Sequence, residues 1–267
     1  MITRLEYPFS FIFSIFFLNF GLLPLSNSLS AGLTHNEDVY QYKFTWGFLP
    51  VANLEIDFSE YESENLILSR GETTGLSRLL KNYSARVSLK IDPVRRFRLY
   101  ELSGVDGGSR EVRKIRFLHG QPPQLLEFKD TTATLGLEVD DTLDTDSVDP
   151  LSIFSWFFTK KAIESHCDKK FKVFDGKKRF LVKVQVIEDS NLLNRARDKI
   201  ISCRITMLGL SVESSKEPGE LVAANFWPFN RKDQVIDVVI GEVESEAFYI
   251  REIHIHSPLG KIIGKLR

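Results

Sequence analysis

Cysteine is almost missing from this chain, with only Cys167 and Cys203 among 267 residues. A bacterial lipid anchor needs a cysteine at its leader cut site, so it is excluded, and the spacing excludes a C-x-x-C redox pair. No charge sign predominates. The chain carries 35 Lys and Arg against 36 Asp and Glu, a net charge of −1. Without a basic surplus, nucleic acid is excluded as the main partner. Beyond residue 31 no apolar run reaches the roughly 20 residues of a spanning helix. Catalytic signatures are also absent. There is no G-x-S-x-G elbow, since Gly209-Leu210-Ser211 lacks the closing glycine, and no Gly-rich phosphate loop.

What is present begins with a leader. Arg4 precedes the apolar stretch Phe9–Leu25, and small residues follow at Ser26, Ser28, Ser30 and Ala31. A charged lead, an apolar core and a small-residue cut site predict a secretory signal over 1–31, leaving one exported domain over 32–267. Asn19 and Pro24 interrupt the apolar stretch, which is too short to serve as a membrane anchor.

The rest of the chain alternates with period two. Tyr40, Tyr42, Phe44 and Trp46 share one face, and Leu54, Ile56 and Phe58 repeat the pattern. Leu66–Leu68 reads as a short strand, followed by Ala85–Ile91, Phe97–Ser103 and Glu111–His119. Leu125–Lys129 and Leu135–Val139 are weaker strands, and the tail adds Gln234–Val243, Phe248–His256 and Lys261–Leu266. Lys169–Phe174 and Lys177–Ile187 form a hairpin on a two-residue Asp175-Gly176 turn, which sets Phe171 opposite Phe180. Extending that face places Cys167 inward, and Cys203 lies inward with Ile201, Ile205 and Met207. Two inward thiols in an exported chain predict one structural disulfide, Cys167–Cys203.

One helix interrupts the strands. Asp149 is a good N-cap, Pro150 suits the first helical position, and Leu151–Ser165 contains no breaker. Leu151, Phe154, Phe157, Phe158 and Ala162 form its inner stripe, and Ile153 and Trp156 widen it. Gly75–Lys81 suggests a second, shorter helix. The fold class is therefore mainly β: a curved, barrel-like antiparallel sheet of about a dozen strands with one buried aromatic helix.

Several short motifs follow one another along the chain: Tyr42–Trp46 with Ala52, Thr73-Thr74-Gly75-Leu76, Asp149-Pro150-Leu151-Ser152, and Cys167 with Val173-Phe174-Asp175-Gly176-Lys177. In these the chain resembles the bacterial domain of unknown function 3108 family over roughly Val39 to Arg267. The resemblance implies an exported, periplasmic envelope protein of a Gram-negative bacterium with a mainly antiparallel β fold, and it brings no functional residue with it. Phe48-Leu49 stand where the family's opening has small residues.

Candidate chemistry is sparse. Asp140, Asp141, Asp144, Asp146 and Asp149 form an acidic cluster, but they lack the D-x-D-x-D-G order of a calcium loop and read as a solvated loop. His254, His256 and Glu252 share one strand face, the start of a zinc site, but match no recognised motif and read as a solvent-facing side. No cofactor and no metal is expected. Arg95-Arg96 and Arg195–Lys199 are local basic patches. A sheet curled around an apolar helix can leave a lipid-sized cavity, and Trp156, Phe157, Phe158 and Trp227 are the expected lining. The reading is a non-catalytic periplasmic β-domain binding an apolar ligand, such as a lipid, or an envelope protein. The alternatives are a scaffold docking another protein, through an exposed sheet edge or Glu213–Phe229, and, least favoured, an envelope hydrolase.

Overall fold

A computed structural model describes residues 38–61, 64–75, 77–80, 82–130, 144–158, 167–177, 179–187, 200–210, 235–242, 248–257 and 260–267. The leader (1–31), Leu135–Val139, Arg195–Lys199, Glu213–Phe229 and Trp227 lie outside them. The alternating segments become strands β1 (Asp38–Trp46), β2 (Leu49–Tyr61), β3 (Glu64–Thr73), β4 (Tyr83–Asp92), β5 (Phe97–Asp106), β6 (Ser109–Leu118) and β7 (Gln124–Asp130). After helix α2 (Pro150–Phe157) come β8 (Asp168–Phe174), β9 (Arg179–Val186), β10 (Ile200–Leu210), β11 (Val235–Glu242), β12 (Phe248–Ser257) and β13 (Gly260–Leu266). A single turn of helix, α1 (Ser77–Leu80), joins β3 to β4.

All the strands lie in one sheet of order β7-β6-β5-β4-β3-β2-β1-β13-β12-β11-β10-β9-β8. Two antiparallel meanders are thus joined where β1 pairs with β13, with Phe44 opposite Gly264. Glycine is needed at that pair: a Cβ on Gly264 would stand 2.4 Å from the Phe44 ring. The inward faces make one core, with Tyr42, Phe44, Leu54, Ile56, Val87, Leu89, Ile115 and Ile253 all below 5% exposure. Each large apolar side chain so buried contributes roughly 1.5–3 kcal/mol. Tyr42 carries its hydroxyl inward and donates it to the Ile250 carbonyl at 2.8 Å. That carbonyl adjoins the register shift between β11 and β12, where the ladder is interrupted. Burial pushes the Tyr42 phenol far above its ordinary range.

Helix α2 fills the curve. Asp149 caps it by accepting from the Ser152 amide at 2.8 Å, and Leu151, Ile153, Phe154 and Phe157 are buried. It touches β4, β8 and β12, strands far apart in sheet order, which only an element inside the bend can do. Among the described residues the structure is a barrel-like antiparallel sheet that does not close, with β7 and β8 as its two edges.

Three details depart from the sequence reading. Strand β3 runs to Thr73, well past Leu68, because its second half turns the small residues Ser69 and Thr73 inward rather than apolar ones. The β8–β9 hairpin is offset by two residues, pairing Val173 with Phe180 and Phe171 with Val182. Asp175 causes this shift, since its carboxylate accepts from the Lys177 amide at 2.8 Å and Arg113 takes its carbonyl at 2.8 Å, which draws 175–177 out of the ladder. An offset of two keeps every side chain on its face. The described helix ends at Phe157, because Phe158 leaves helical geometry (φ −101°, ψ 6°) as the C-cap. The expected disulfide Cys167–Cys203 forms, with a Cα–Cα distance of 5.1 Å, and it spans the end of β9, which lies between β8 and β10.

Candidate functional site

In an up-and-down meander the turns after β2, β4 and β6 fall at one end of the sheet, here termed the lower rim. The β4–β5 turn is set by Asp92, whose Oδ1 accepts from the Arg95 amide at 2.8 Å while Oδ2 lies 3.5 Å from Arg95 Nε. The β6–β7 turn is tied to it through the His119 amide, which donates to the Arg96 carbonyl at 3.3 Å. The strand-to-helix segment 145–147 forms a third side, held by Arg98, whose Nη2 donates to the Ser147 carbonyl at 3.3 Å.

Between these three segments opens a cleft of about 620 Å³, within the roughly 300–1,000 Å³ of small-ligand sites. Its apolar lining comes from Ile91, Pro93, Phe97, Phe117 and Leu118. Its charged lining comes from Asp92, Arg96, Arg98, His119 and Asp146. Phe117 is buried, with the Arg98 guanidinium 5.3 Å above its ring. Arg98 is otherwise engaged: Nη1 donates to Ser152 Oγ at 3.0 Å and lies 3.6 Å from Asp149 Oδ2. Asp146 pairs with Lys172 at 3.3 Å. Arg96 and His119 have no side-chain partner among the described residues.

Arg96 is held at φ 51°, the one non-glycine among the described residues with positive φ. At the tips of other hairpins this region belongs to Gly47, Gly107 and Gly120. A side chain there costs roughly 1–2 kcal/mol relative to glycine. A second, smaller cleft of about 200 Å³ lies between Gln41, Asn53, Glu55, Arg70, Glu72 and Arg267, where Arg70 and Glu55 already pair at 3.3 Å.

Two further charged groups stand apart from the cleft. At the opposite rim Arg113 points inward from β6 and is buried. Its Nε donates to Glu111 Oε1 at 2.8 Å and its Nη1 lies 3.0 Å from Asp175 Oδ2. Lys177 adds an ion pair to Glu111 at 2.9 Å and another to Asp130. These contacts bridge β6 and β7 to the β8–β9 turn, so charge links the two ends of the open sheet. Burial lowers the Arg113 pKa, but Asp175 and Glu111 outweigh it and hold the guanidinium charged. Burial also pushes the nearby Tyr100 phenol well above its ordinary value.

On the outer face of β10–β13, His254 Nε2 lies 2.6 Å from Glu252 Oε2 and His256 Nε2 lies 2.9 Å from Asp237 Oδ2. Lys265 flanks Glu252 at 3.1 Å, and Arg204 Nε donates to Asp237 Oδ1 at 2.9 Å. The two histidines use different carboxylates, and among the described residues no group of three His, Cys, Asp or Glu could hold a metal ion. Burial raises both carboxyls, but hydrogen bonds and charge from Arg204 and His256 outweigh it at Asp237, and those from His254 and Lys265 do so at Glu252, so both titrate below their ordinary values. A carboxyl depressed on folding adds stability above its unfolded pKa and loses it as pH falls through the folded one. Stability to urea is therefore expected to fall below about pH 4, the ordinary range of these groups. Asp237→Asn combined with Glu252→Gln should make that acid limb shallower, and an unchanged limb would contradict the assignment.

The sequence-predicted lining residues diverge. Phe157 is 1% exposed in the core. Trp156 meets Phe171 edge-on at 5.8 Å beneath Lys169, whereas Phe158 packs between Tyr40 at 4.6 Å and Phe58 at 4.8 Å. None of the three lines either cleft. In the acidic cluster, Asp144 and Asp146 flank Lys172 and Asp149 caps α2, while Asp140 and Asp141 lie outside the described residues. Of the basic patches, Arg96 reaches the cleft. His119 carries no signal in the sequence.

Fold and site together define a barrel-like antiparallel domain with a helical plug and a ligand-sized cleft at one rim. No family model matches the chain, and no curated protein matches it. Among solved structures it is similar to a β-barrel-like protein of domain of unknown function DUF1849 from Brucella abortus. The identity is 9%, the TM-score is 0.49, and the match covers 89% of this chain and 98% of that one. Among the described residues no helix is long and apolar enough to cross a membrane.

Proposed function

We propose that this chain is an exported, non-catalytic binding domain of the Gram-negative envelope, related to the domain of unknown function 3108 family, which holds an amphipathic ligand in the lower-rim cleft. The leader-like residues 1–31 and the disulfide Cys167–Cys203 support export into an oxidising compartment. The observation that carries the binding role is the cleft itself, whose size and apolar walls suit a small ligand and whose few charged groups suit orienting it. The plugging of the curved sheet by α2 favours the rim over the interior as the binding place.

Native mass spectrometry after gentle purification, followed by titration with a fluorescent acyl probe, tests this. One probe per chain is expected, with affinity reduced about tenfold or more by Phe97→Ser, which strips a half-buried wall residue of its ring. Probe binding that ignores Phe97→Ser in a folded variant would refute the cleft as the site. The scaffold alternative is supported by Phe48, 91% exposed at the tip of the β1–β2 turn on the other rim, and by the β7 and β8 edges. Crosslinking that traps one stoichiometric partner through that turn would favour it.

A further inference from the structure

We propose that the lower-rim cleft recognises an anionic headgroup, a phosphate monoester or carboxylate, through Arg96 and His119, with the ligand's apolar part along Ile91, Phe97 and Phe117; this rests on the binding role proposed above. The charge pattern of the lining carries the inference. Each acid at the cleft is already engaged, Asp92 by Arg95 and its own turn and Asp146 by Lys172. Arg98 is likewise occupied, by Ser147, Ser152 and Asp149. Arg96 and His119 are what remain, without side-chain partners among the described residues and on turns tied together by a backbone hydrogen bond.

The backbone at Arg96 points the same way. A left-handed residue at a hairpin tip favours glycine, and the chain uses glycine in that region at Gly47, Gly107 and Gly120. Arginine stands here against that preference, and strain of this kind collects at binding sites. A guanidinium also offers the planar, forked donor set that phosphate and carboxylate oxygens accept best. At the lip, Val94 is 83% exposed and the Arg95 side chain 82% exposed, so an apolar and cationic tip stands beside the mouth.

The test uses the full chain with dodecyl phosphate, dodecanoate and dodecanol, matched in tail length, measured by calorimetry. The two anions are expected to bind at least about tenfold more tightly than the alcohol, the worth of one charge-assisted contact. Arg96→Gly should abolish that preference while leaving the melting temperature unchanged or higher, an outcome that separates lost recognition from lost folding. His119→Gln should reduce the preference without lowering the melting temperature. Vesicles containing phosphatidic acid, whose headgroup is a phosphate monoester, compared with phosphatidylcholine vesicles, form the second arm, and stronger Arg96-dependent binding there identifies a membrane lipid rather than a free amphiphile as the source. Equal affinity for anions and alcohol would overturn the headgroup assignment and leave the apolar cleft standing. Binding of none of the probes, in solution or in vesicles, would remove the binding role as well. Arg96→Gly with its preference intact would also overturn the proposal.

Discussion

Replacement of Arg113 by methionine is expected to destabilise the fold by about 3–5 kcal/mol, the range for stripping one partner from a buried ion pair. The Arg113 side chain is 5% exposed, and its guanidinium donates to the Asp175 carbonyl and Glu111 Oε1 while pairing with the Asp175 carboxylate. Methionine fills similar volume, so the loss is electrostatic rather than a cavity. Glu111 keeps Lys177 at 2.9 Å. Asp175, with its side chain 10% exposed, loses the Arg113 ion pair that compensates its burial. Lysine should not rescue, because one ammonium cannot reproduce donation from Nε and Nη1 at once. Arg113→Met with Asp175→Asn should recover a substantial part of the loss, giving a coupling within the roughly 0.5–3 kcal/mol seen for networked pairs. Arg70→Ala, which breaks the exposed pair with Glu55, is the control and should stay within about 1 kcal/mol of the parent. Urea melts decide the matter, and an Arg113→Met variant indistinguishable from Arg70→Ala would show that the charged link between the sheet's ends contributes nothing. Loss of that link also leaves the β7 and β8 edges less protected, so a rise in aggregation should accompany the drop in stability.

The sequence reveals what local alternation controls and conceals what distant segments supply. Strand β4 reads directly over Ala85–Leu89, because Ala85, Val87 and Leu89 are apolar at every second position and all are buried. The same rule fails in β3 beyond Leu68, where the inward positions hold serine and threonine and Thr73 is satisfied by the backbone of Tyr83 rather than by apolar packing. It fails again at Arg113, an inward arginine whose countercharge Asp175 arrives 62 residues later. Asp175 reads locally as a turn residue, and its bonds to Arg113 of β6 and to the Lys177 amide are what moved the hairpin offset. The helix reads well because the Asp149 cap and Pro150 start are local signals, but the directions of Trp156 and Phe158 depend on which strands surround them. The rim cleft is the extreme case. It is built from residues 91–93, 96–98, 117–120 and 145–147, and only the pairing of β4, β5 and β6 brings Arg96 and His119 to one mouth.

The disulfide should give the second large effect. Cys167 and Cys203 close a loop with a sequence separation of 36. In the chain-entropy model such a loop restricts the unfolded ensemble enough to stabilise the native state by about 4 kcal/mol. Domains of ordinary stability hold only about 5–15 kcal/mol in total, so this one bond is a large share of the whole. Both cysteines are at most 1% exposed, so alanine is the appropriate replacement; serine would bury an extra hydroxyl. The double variant Cys167→Ala/Cys203→Ala and the reduced parent should show similar losses if the restriction of the unfolded chain dominates, since both lack the cross-link and differ only in two small buried atoms. A reduced parent as stable as the oxidised one would refute the entropic account. A double variant much weaker than the reduced parent would show instead that sulfur packing against β9 carries the stability. The position of the bond gives the measurement a second readout. It ties the chain just before β8 to β10 across the end of β9, which anchors the β8 edge that Arg113 links to β6. Reduction and Arg113→Met therefore act on the same edge of the sheet, and their combined loss should depart from the sum of the two, whereas reduction combined with Arg70→Ala should be additive.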